Sequence, residues 1–154
     1  MTQNRQPRSG IAARVFCAGA VAALAMLIIG YVFDSVEASM PNISAEYSNK
    51  FMFRDWPGWT KAYMLFHPIW FGFVFVIGFA VLSRGRPTSN WTAACRRGAG
   101  YGLFIFLVGS LPIFLMVYAS FKVSPQLIAV SWAARNLFQY VVAGVCVGFV
   151  MFRP

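Results

Sequence analysis

The sequence predicts an all-α membrane protein, an antiparallel bundle of four transmembrane helices with both termini in the cytoplasm. Three observations support this fold class. The 154 residues are 59% hydrophobic and 11% charged, and a soluble domain of this length cannot bury so much apolar surface. Four apolar segments are each long enough to cross about 30 Å of hydrocarbon. Lys and Arg are unequally distributed among the segments that connect them.

The first apolar segment, residues 11–33, follows a basic tail, residues 1–10. At a rise of about 1.5 Å per residue it can span the bilayer. A cleaved signal peptide is the alternative, because basic residues precede the segment. The segment is longer than the apolar core of a signal peptide, and no clear small-residue cleavage site follows it. Both features favour a retained helix.

The remaining apolar segments are residues 59–82, 98–121 and 126–151. Pro68 and Pro112 lie inside the first two of these. Each proline removes a backbone hydrogen bond, so we expect a kink that the neighbouring helices accommodate. All four segments belong to one membrane domain that comprises the whole chain.

Two polar segments determine the predicted orientation. Residues 34–58 contain all four acidic residues, whereas residues 83–97 contain four arginines and no acid. The tail together with Arg14, residues 83–97 and the carboxyl terminus hold eight Lys and Arg, against four on the other side. Because basic flanks resist translocation, residues 34–58 are predicted outside and both termini inside. Trp56 and Trp59 at the outer edge and Trp91 in the inner loop agree, since indole rings favour headgroups.

The net charge of +9 raises the question of partners. Nucleic-acid binding needs clustered Lys and Arg, but here the charges are divided among separate loops. The sequence therefore predicts contact with anionic lipid headgroups at the basic cytoplasmic loops, and no nucleic acid. Cys17, Cys95 and Cys146 form no Cys-x-x-Cys pair. They are predicted towards the cytoplasmic half, where structural disulfides are not expected.

Small residues four positions apart indicate where the helices pack, because association in lipid depends on close van der Waals contact. They either form the interior of the bundle or, in the alternative, a homodimer face. The pairs are Gly19 with Ala23, Gly98 with Gly102, and Gly144 with Gly148.

The second apolar segment is unusually aromatic, with rings around much of its circumference. Such a helix exposes rings to lipid or, alternatively, to a pigment, a quinone or a neighbouring subunit. The aromatic residues are Phe66, Trp70, Phe71, Phe73, Phe75 and Phe79.

Within the predicted bilayer segments, Arg135 is the residue that is most unfavourable in lipid. Inserting an arginine at the centre of a transmembrane helix costs at least about 2.5 kcal/mol of free energy. Nearby polar residues could reduce this cost by interacting with Arg135. They lie at a comparable depth or at the outer end of the first segment. The group either binds an anionic headgroup, a carboxylate or a quinone oxygen, or forms a structural polar cluster. Its members are Arg135, Asn136, Gln139, His67, Asp34, Glu37, Tyr63 and Tyr118.

His67 is the single histidine of the chain, which excludes a haem with two histidine ligands from one subunit. Two roles for His67 stay open. It is either an axial ligand of a haem or chlorophyll whose second axial ligand is another group, or a histidine that is hydrogen-bonded inside the bundle. The sequence requires no cofactor and shows no converging metal ligands or catalytic set. It therefore predicts a protein that is not an enzyme.

A glycine-rich third helix with a proline, a Tyr-Ala-Ser turn and a fourth helix that bears tryptophan follow one another in the second half of the chain. These stretches are residues 98–103, 109–112 and 118–120, together with Ser131 and Trp132. The pattern resembles that of a group of uncharacterised bacterial four-helix membrane proteins. The resemblance implies the four-helix fold and a bacterial source, and it carries no activity.

Two functional hypotheses follow, both for the bacterial inner membrane. The first is a non-catalytic accessory or scaffold subunit that packs against a larger membrane complex. The second is a small binding or transport protein that holds an anionic or quinone-like ligand near Arg135 and His67.

Overall fold

The computed structural model describes residues 9–48, 58–83, 88 and 90–152. These residues form helices, and no strand occurs among them. The predicted all-α class is therefore confirmed. The tail predicted at residues 1–10 and the basic segment predicted at residues 83–97 lie partly outside the described residues.

The described residues form five helices, and three of them are long and apolar enough to cross a membrane, namely α1, α4 and α5. A further apolar stretch, Phe66–Leu82, is shorter and lies in α3. The helices are α1 (Ser9–Ala38), α2 (Pro41–Tyr47), α3 (Gly58–Leu82), α4 (Trp91–Ser120) and α5 (Leu127–Met151).

Two helices extend beyond the predicted apolar segments. Helix α1 continues to Ala38 and so includes Asp34 and Glu37. Helix α4 begins at Trp91, because the Asn90 side chain caps it by accepting the Ala93 N–H at 2.8 Å. Arginine is a good helix former, so the basic stretch that follows continues the helix although hydropathy alone indicates a loop.

A π-helical turn, Phe106–Ser110, interrupts the α-helical hydrogen bonding of α4 just before Pro112. Proline has no N–H to donate, and its ring crowds the carbonyl four residues earlier. A wider turn relieves that conflict. A second π-helical stretch, Leu127–Ala134, opens α5.

Helix α1 packs against α3 and α5, and α5 packs against α4. The α4–α5 contact is a close approach of glycines from both helices: a Cβ on Gly98 would overlap the Gly144 carbonyl, and one on Gly148 would overlap the Ala94 carbonyl. Gly102 lies equally close to the Tyr140 carbonyl. The small residues of α4 and α5 thus lie at a contact within the chain.

The α1–α3 contact also depends on small residues. A Cβ on Gly72 would lie 2.8 Å from the Ala23 amide nitrogen and 3.0 Å from the Gly19 carbonyl oxygen. Rings fill the remaining space, since Tyr101 of α4 reaches across to Phe75 and Phe79 of α3, with centroid distances of 4.7 and 5.5 Å.

Candidate functional site

The short helix α2 docks on the amino-terminal end of α5. Ile43 is almost fully buried there, in contact with a cluster that includes Val123, Leu127 and Ile128. This contact brings the segment that follows α1 back over the bundle. It closes one end of the structure next to Asp34 and Glu37.

Glu46 anchors α2 through hydrogen bonds. Its carboxylate accepts the Ser124 backbone N–H at 2.7 Å and also accepts the Ser124 hydroxyl. The Ser124 hydroxyl in turn accepts the Leu127 N–H at 3.1 Å, so Ser124 caps the amino-terminal end of α5. An acid at a helix amino terminus also faces the positive end of the helix dipole.

Replacement of Ser124 by alanine is expected to lower the free energy of unfolding by about 1 kcal/mol, because the helix loses its cap. The same change removes one hydrogen bond to Glu46, so amide hydrogen exchange of α2 should accelerate. Ser44→Ala is the matched control, since Ser44 is exposed on α2. Equal exchange rates in both variants would contradict the anchoring role.

Arg135 of α5 pairs with acids of α1. Its Nη1 donates to Asp34 Oδ1 at 2.6 Å, and the same atom lies 3.9 Å from Glu37 Oε1. The Glu37 side chain is only 9% exposed, whereas that of Asp34 is 58% exposed. The pair with Asp34 is therefore near the surface, and the contact with Glu37 is the buried part of the cluster.

Gly30 makes room for this contact between α1 and α5. A Cβ at this position would lie 3.1 Å from Arg135 Nη2 and 3.2 Å from Gln139 Nε2. Gln139 uses the space to donate to the Met26 backbone carbonyl at 2.8 Å. Two polar side chains of α5 thus have partners on α1.

The buried side of the cluster contains further oxygens. Ser131 and Tyr47 lie next to the Glu37 carboxylate. Neither Glu37 Oε1 nor Ser131 Oγ has a hydrogen-bond partner among the described residues. The nearby Arg135 charge is the main support of the Glu37 carboxylate, and the neighbouring Ser131 and Tyr47 act in the same direction.

Tyr47 connects α2 to the same cluster, because its hydroxyl accepts the Trp132 indole N–H at 3.2 Å. Burial raises the pKa of the Tyr47 phenol above its usual value, and the neighbouring Ser131 and Trp132 act in the opposite direction. The phenol consequently keeps its proton at neutral pH.

The structure brings four of the predicted cluster residues together, namely Asp34, Glu37, Arg135 and Gln139. Asn136 instead donates to the Trp132 carbonyl of its own helix at 2.8 Å. The predicted cluster therefore divides along α5, with Gln139 facing α1.

The other predicted members lie on α3 and α4. His67 is exposed on α3, and its ring stacks on Phe71 at a centroid distance of 5.8 Å. Tyr118 is exposed near the end of α4. The side chain of Tyr63 lies outside the described residues.

Sequence reasoning missed several residues of this site. Ser131 precedes Arg135 by one helical turn, and Gly30 precedes Asp34 by one turn, so the spacing of four was available as a signal. Tyr47, Glu46 and Ser124 had no such signal, because a tertiary contact brings α2 to α5.

A second buried polar pair lies deeper in the bundle. The Ser110 hydroxyl of α4 donates to the Tyr140 hydroxyl of α5 at 3.2 Å. The Tyr140 ring stacks on Phe71 of α3 at a centroid distance of 5.1 Å. The pair is therefore enclosed by three helices.

No protein-family model matches the chain, and no curated protein or solved structure matches it. The resemblance to bacterial four-helix membrane proteins therefore stays a sequence-based interpretation. Two carboxylates share one guanidinium, an arrangement that joins helices and disfavours an added anion.

Proposed function

We propose that the protein is a non-catalytic accessory or scaffold subunit of a larger membrane complex. It resides in the bacterial inner membrane as an antiparallel bundle of four transmembrane helices, α1, α3, α4 and α5. Both termini face the cytoplasm. The distribution of Lys and Arg supports this orientation, and the length of α3, roughly 37 Å for 25 residues, supports its role as the fourth span.

The main support for this proposal is the exposed face of α3. Helix α3 packs against α1 through Gly72, while large apolar side chains cover a different face. Phe66 and Trp70 are 66% and 72% exposed. Among the exposed apolar residues of α3, Trp70, Val74, Ile77 and Val81 are spaced four, three and four apart, which is the spacing of a seam between two packed helices, and Ile69 and Leu82 are exposed beside them. This α3 seam consists of Phe66, Trp70, Val74, Ile77 and Val81.

The partner of the seam is a transmembrane helix of another subunit. Lipid chains can cover any apolar face, but the heptad-like spacing places rings and branched side chains where knobs of a second helix fit. Aromatic side chains add large contact areas at such an interface. The proposed contact leaves the Arg135 cluster untouched.

The alternative is a small binding or transport protein that holds an anionic or quinone-like ligand near Arg135 and His67. It has less support, because Asp34 and Glu37 already compensate the Arg135 charge. The described ring contact of His67 is with Phe71 of its own helix α3.

Replacement of Phe66 by alanine is expected to release the partner subunit. The protein is extracted from native membranes in a mild detergent, and companions are identified by mass spectrometry. The wild-type chain should co-purify with a larger membrane protein in a fixed ratio. The variant should lose most of that companion, because a ring at an interface contributes about 2 kcal/mol or more.

Phe149→Ala is the matched control, since Phe149 is 60% exposed on α5. It removes the same ring from a different helix and should leave the companion bound. A wild-type chain that purifies alone would contradict the subunit proposal. Equal loss in both variants would show that α3 has no special role.

A further inference from the structure

A cleft lies between α3 and α4 at the end where α3 finishes. Its volume is about 320 Å³, near the lower end of the range of roughly 300–1,000 Å³ for ligand pockets. The cleft exists because Tyr101 holds α3 and α4 apart while its hydroxyl lies against Gly78, where a side chain would overlap it. The lining residues are Phe79, Leu82, Ser83, Arg97, Tyr101 and Phe104.

The lining changes from polar to apolar along the helix axis. Arg97 lies one turn nearer the start of α4 than Tyr101, and Phe104 lies about one turn further in. On α3, Ser83 follows the end of the helix and Phe79 lies one turn deeper. One end of the cleft is thus lined by the Arg97 guanidinium and the Ser83 hydroxyl, and the inner part is lined by aromatic rings.

The charged side chains that the structure describes at this end of the bundle are positive. Arg96 and Arg97 lie in the first turns of α4, and the acidic residues of the sequence all lie between positions 34 and 55, before α3 begins. Asp34, Glu37 and Glu46 lie at the other end of the bundle, roughly the 37 Å length of α3 from the cleft, which is several Debye lengths. An anion at Arg97 meets little repulsion from them.

We propose that this cleft binds one anionic phospholipid of the bilayer. The phosphate accepts hydrogen bonds from the Arg97 guanidinium and the Ser83 hydroxyl, and an acyl chain lies along Tyr101 and Phe104. The guanidinium is always charged and presents its N–H donors in a planar fork, which is the geometry that suits a phosphate. The volume fits part of a single acyl chain. The rest of the lipid stays in the membrane.

The test measures lipid retention by native mass spectrometry of the full-length protein in detergent. The probes are phosphatidylglycerol, phosphatidylcholine and inorganic phosphate, each added at equal concentration. The wild-type protein should retain one phosphatidylglycerol. Arg97→Gln should weaken retention about tenfold or more, because charge-assisted hydrogen bonds are lost.

Arg96→Gln is the matched control, since Arg96 is exposed one residue away and carries the same charge. It should retain the lipid. Leu82→Trp should also lose it, because the larger ring fills the apolar part while the charge is unchanged. Size-exclusion chromatography checks that each variant is folded.

Three results would overturn the proposal. Equal weakening by Arg96→Gln and Arg97→Gln would indicate diffuse surface charge, and equal retention of phosphatidylcholine would indicate no headgroup selection. Competition by inorganic phosphate as effective as that by phosphatidylglycerol would assign the site to a free anion. The α3 seam is not involved, so failure here is distinguishable from failure of the subunit proposal.

Discussion

Replacement of Gly98 by leucine is expected to prevent α4 from packing on α5 and to lower the free energy of unfolding by about 3 kcal/mol or more. The physical reason is a clash with backbone, since even a Cβ at this position would overlap the Gly144 carbonyl. A backbone carbonyl inside a helix cannot rotate away as a flexible side chain can. The two helices must separate, and the dispersion contacts along their interface are lost.

Thermal unfolding and size-exclusion chromatography in detergent measure this effect. Gly100→Leu is the matched control, because Gly100 lies on the same helix and a Cβ there meets nothing within 4 Å. That variant should be monodisperse and nearly as stable as the wild type. If Gly98→Leu were equally stable, the close approach of α4 and α5 would be wrong.

Replacement of Arg135 by alanine is expected to destabilise the protein by about 3 kcal/mol, because removal of one partner leaves a buried charge uncompensated. The uncompensated group is Glu37, which is almost fully buried and whose Oε1 has no hydrogen-bond partner among the described residues. Asp34→Asn should cost only about 1 kcal/mol, since its side chain is more than half exposed.

A combined variant separates a structural role from ligand binding. Arg135→Met together with Glu37→Gln and Asp34→Asn removes all three charges, so it should recover most of the stability that Arg135→Ala loses. Thermal unfolding in detergent checks both variants. An Arg135→Ala protein with wild-type stability would contradict the structural role and favour the alternative, a ligand held by Arg135.

The Arg135 cluster and the proposed lipid cleft lie at opposite ends of α3. The acids at the first end have a partner within the chain, through Arg135 or Ser124. At the other end, Arg97 borders the cleft that is proposed to bind a lipid. Among the described residues, the charges of the first end join helices, and the proposed lipid site lies at the other end.

Several features follow from the sequence by itself, because they depend on local properties of the chain. Apolar length determines which segments can cross a membrane, and the predicted segments 11–33, 98–121 and 126–151 lie within or close to the three helices that meet that test. Glycines four apart indicate where helices can approach closely. The high cost of Arg135 in lipid requires a nearby acid, and Asp34 and Glu37 were the available candidates.

The tertiary structure alone decided which side chains meet. Asn136 and Gln139 are both polar and only three residues apart, yet Gln139 donates to Met26 of α1 and Asn136 to its own helix. The rotation of α5 about its axis makes this choice, and that rotation depends on the packing of all the helices together. The docking of α2 on α5 through Glu46 likewise joins residues 78 positions apart. Hydropathy and residue spacing describe one segment at a time, so they cannot predict the rotation of α5 or the docking of α2 on it.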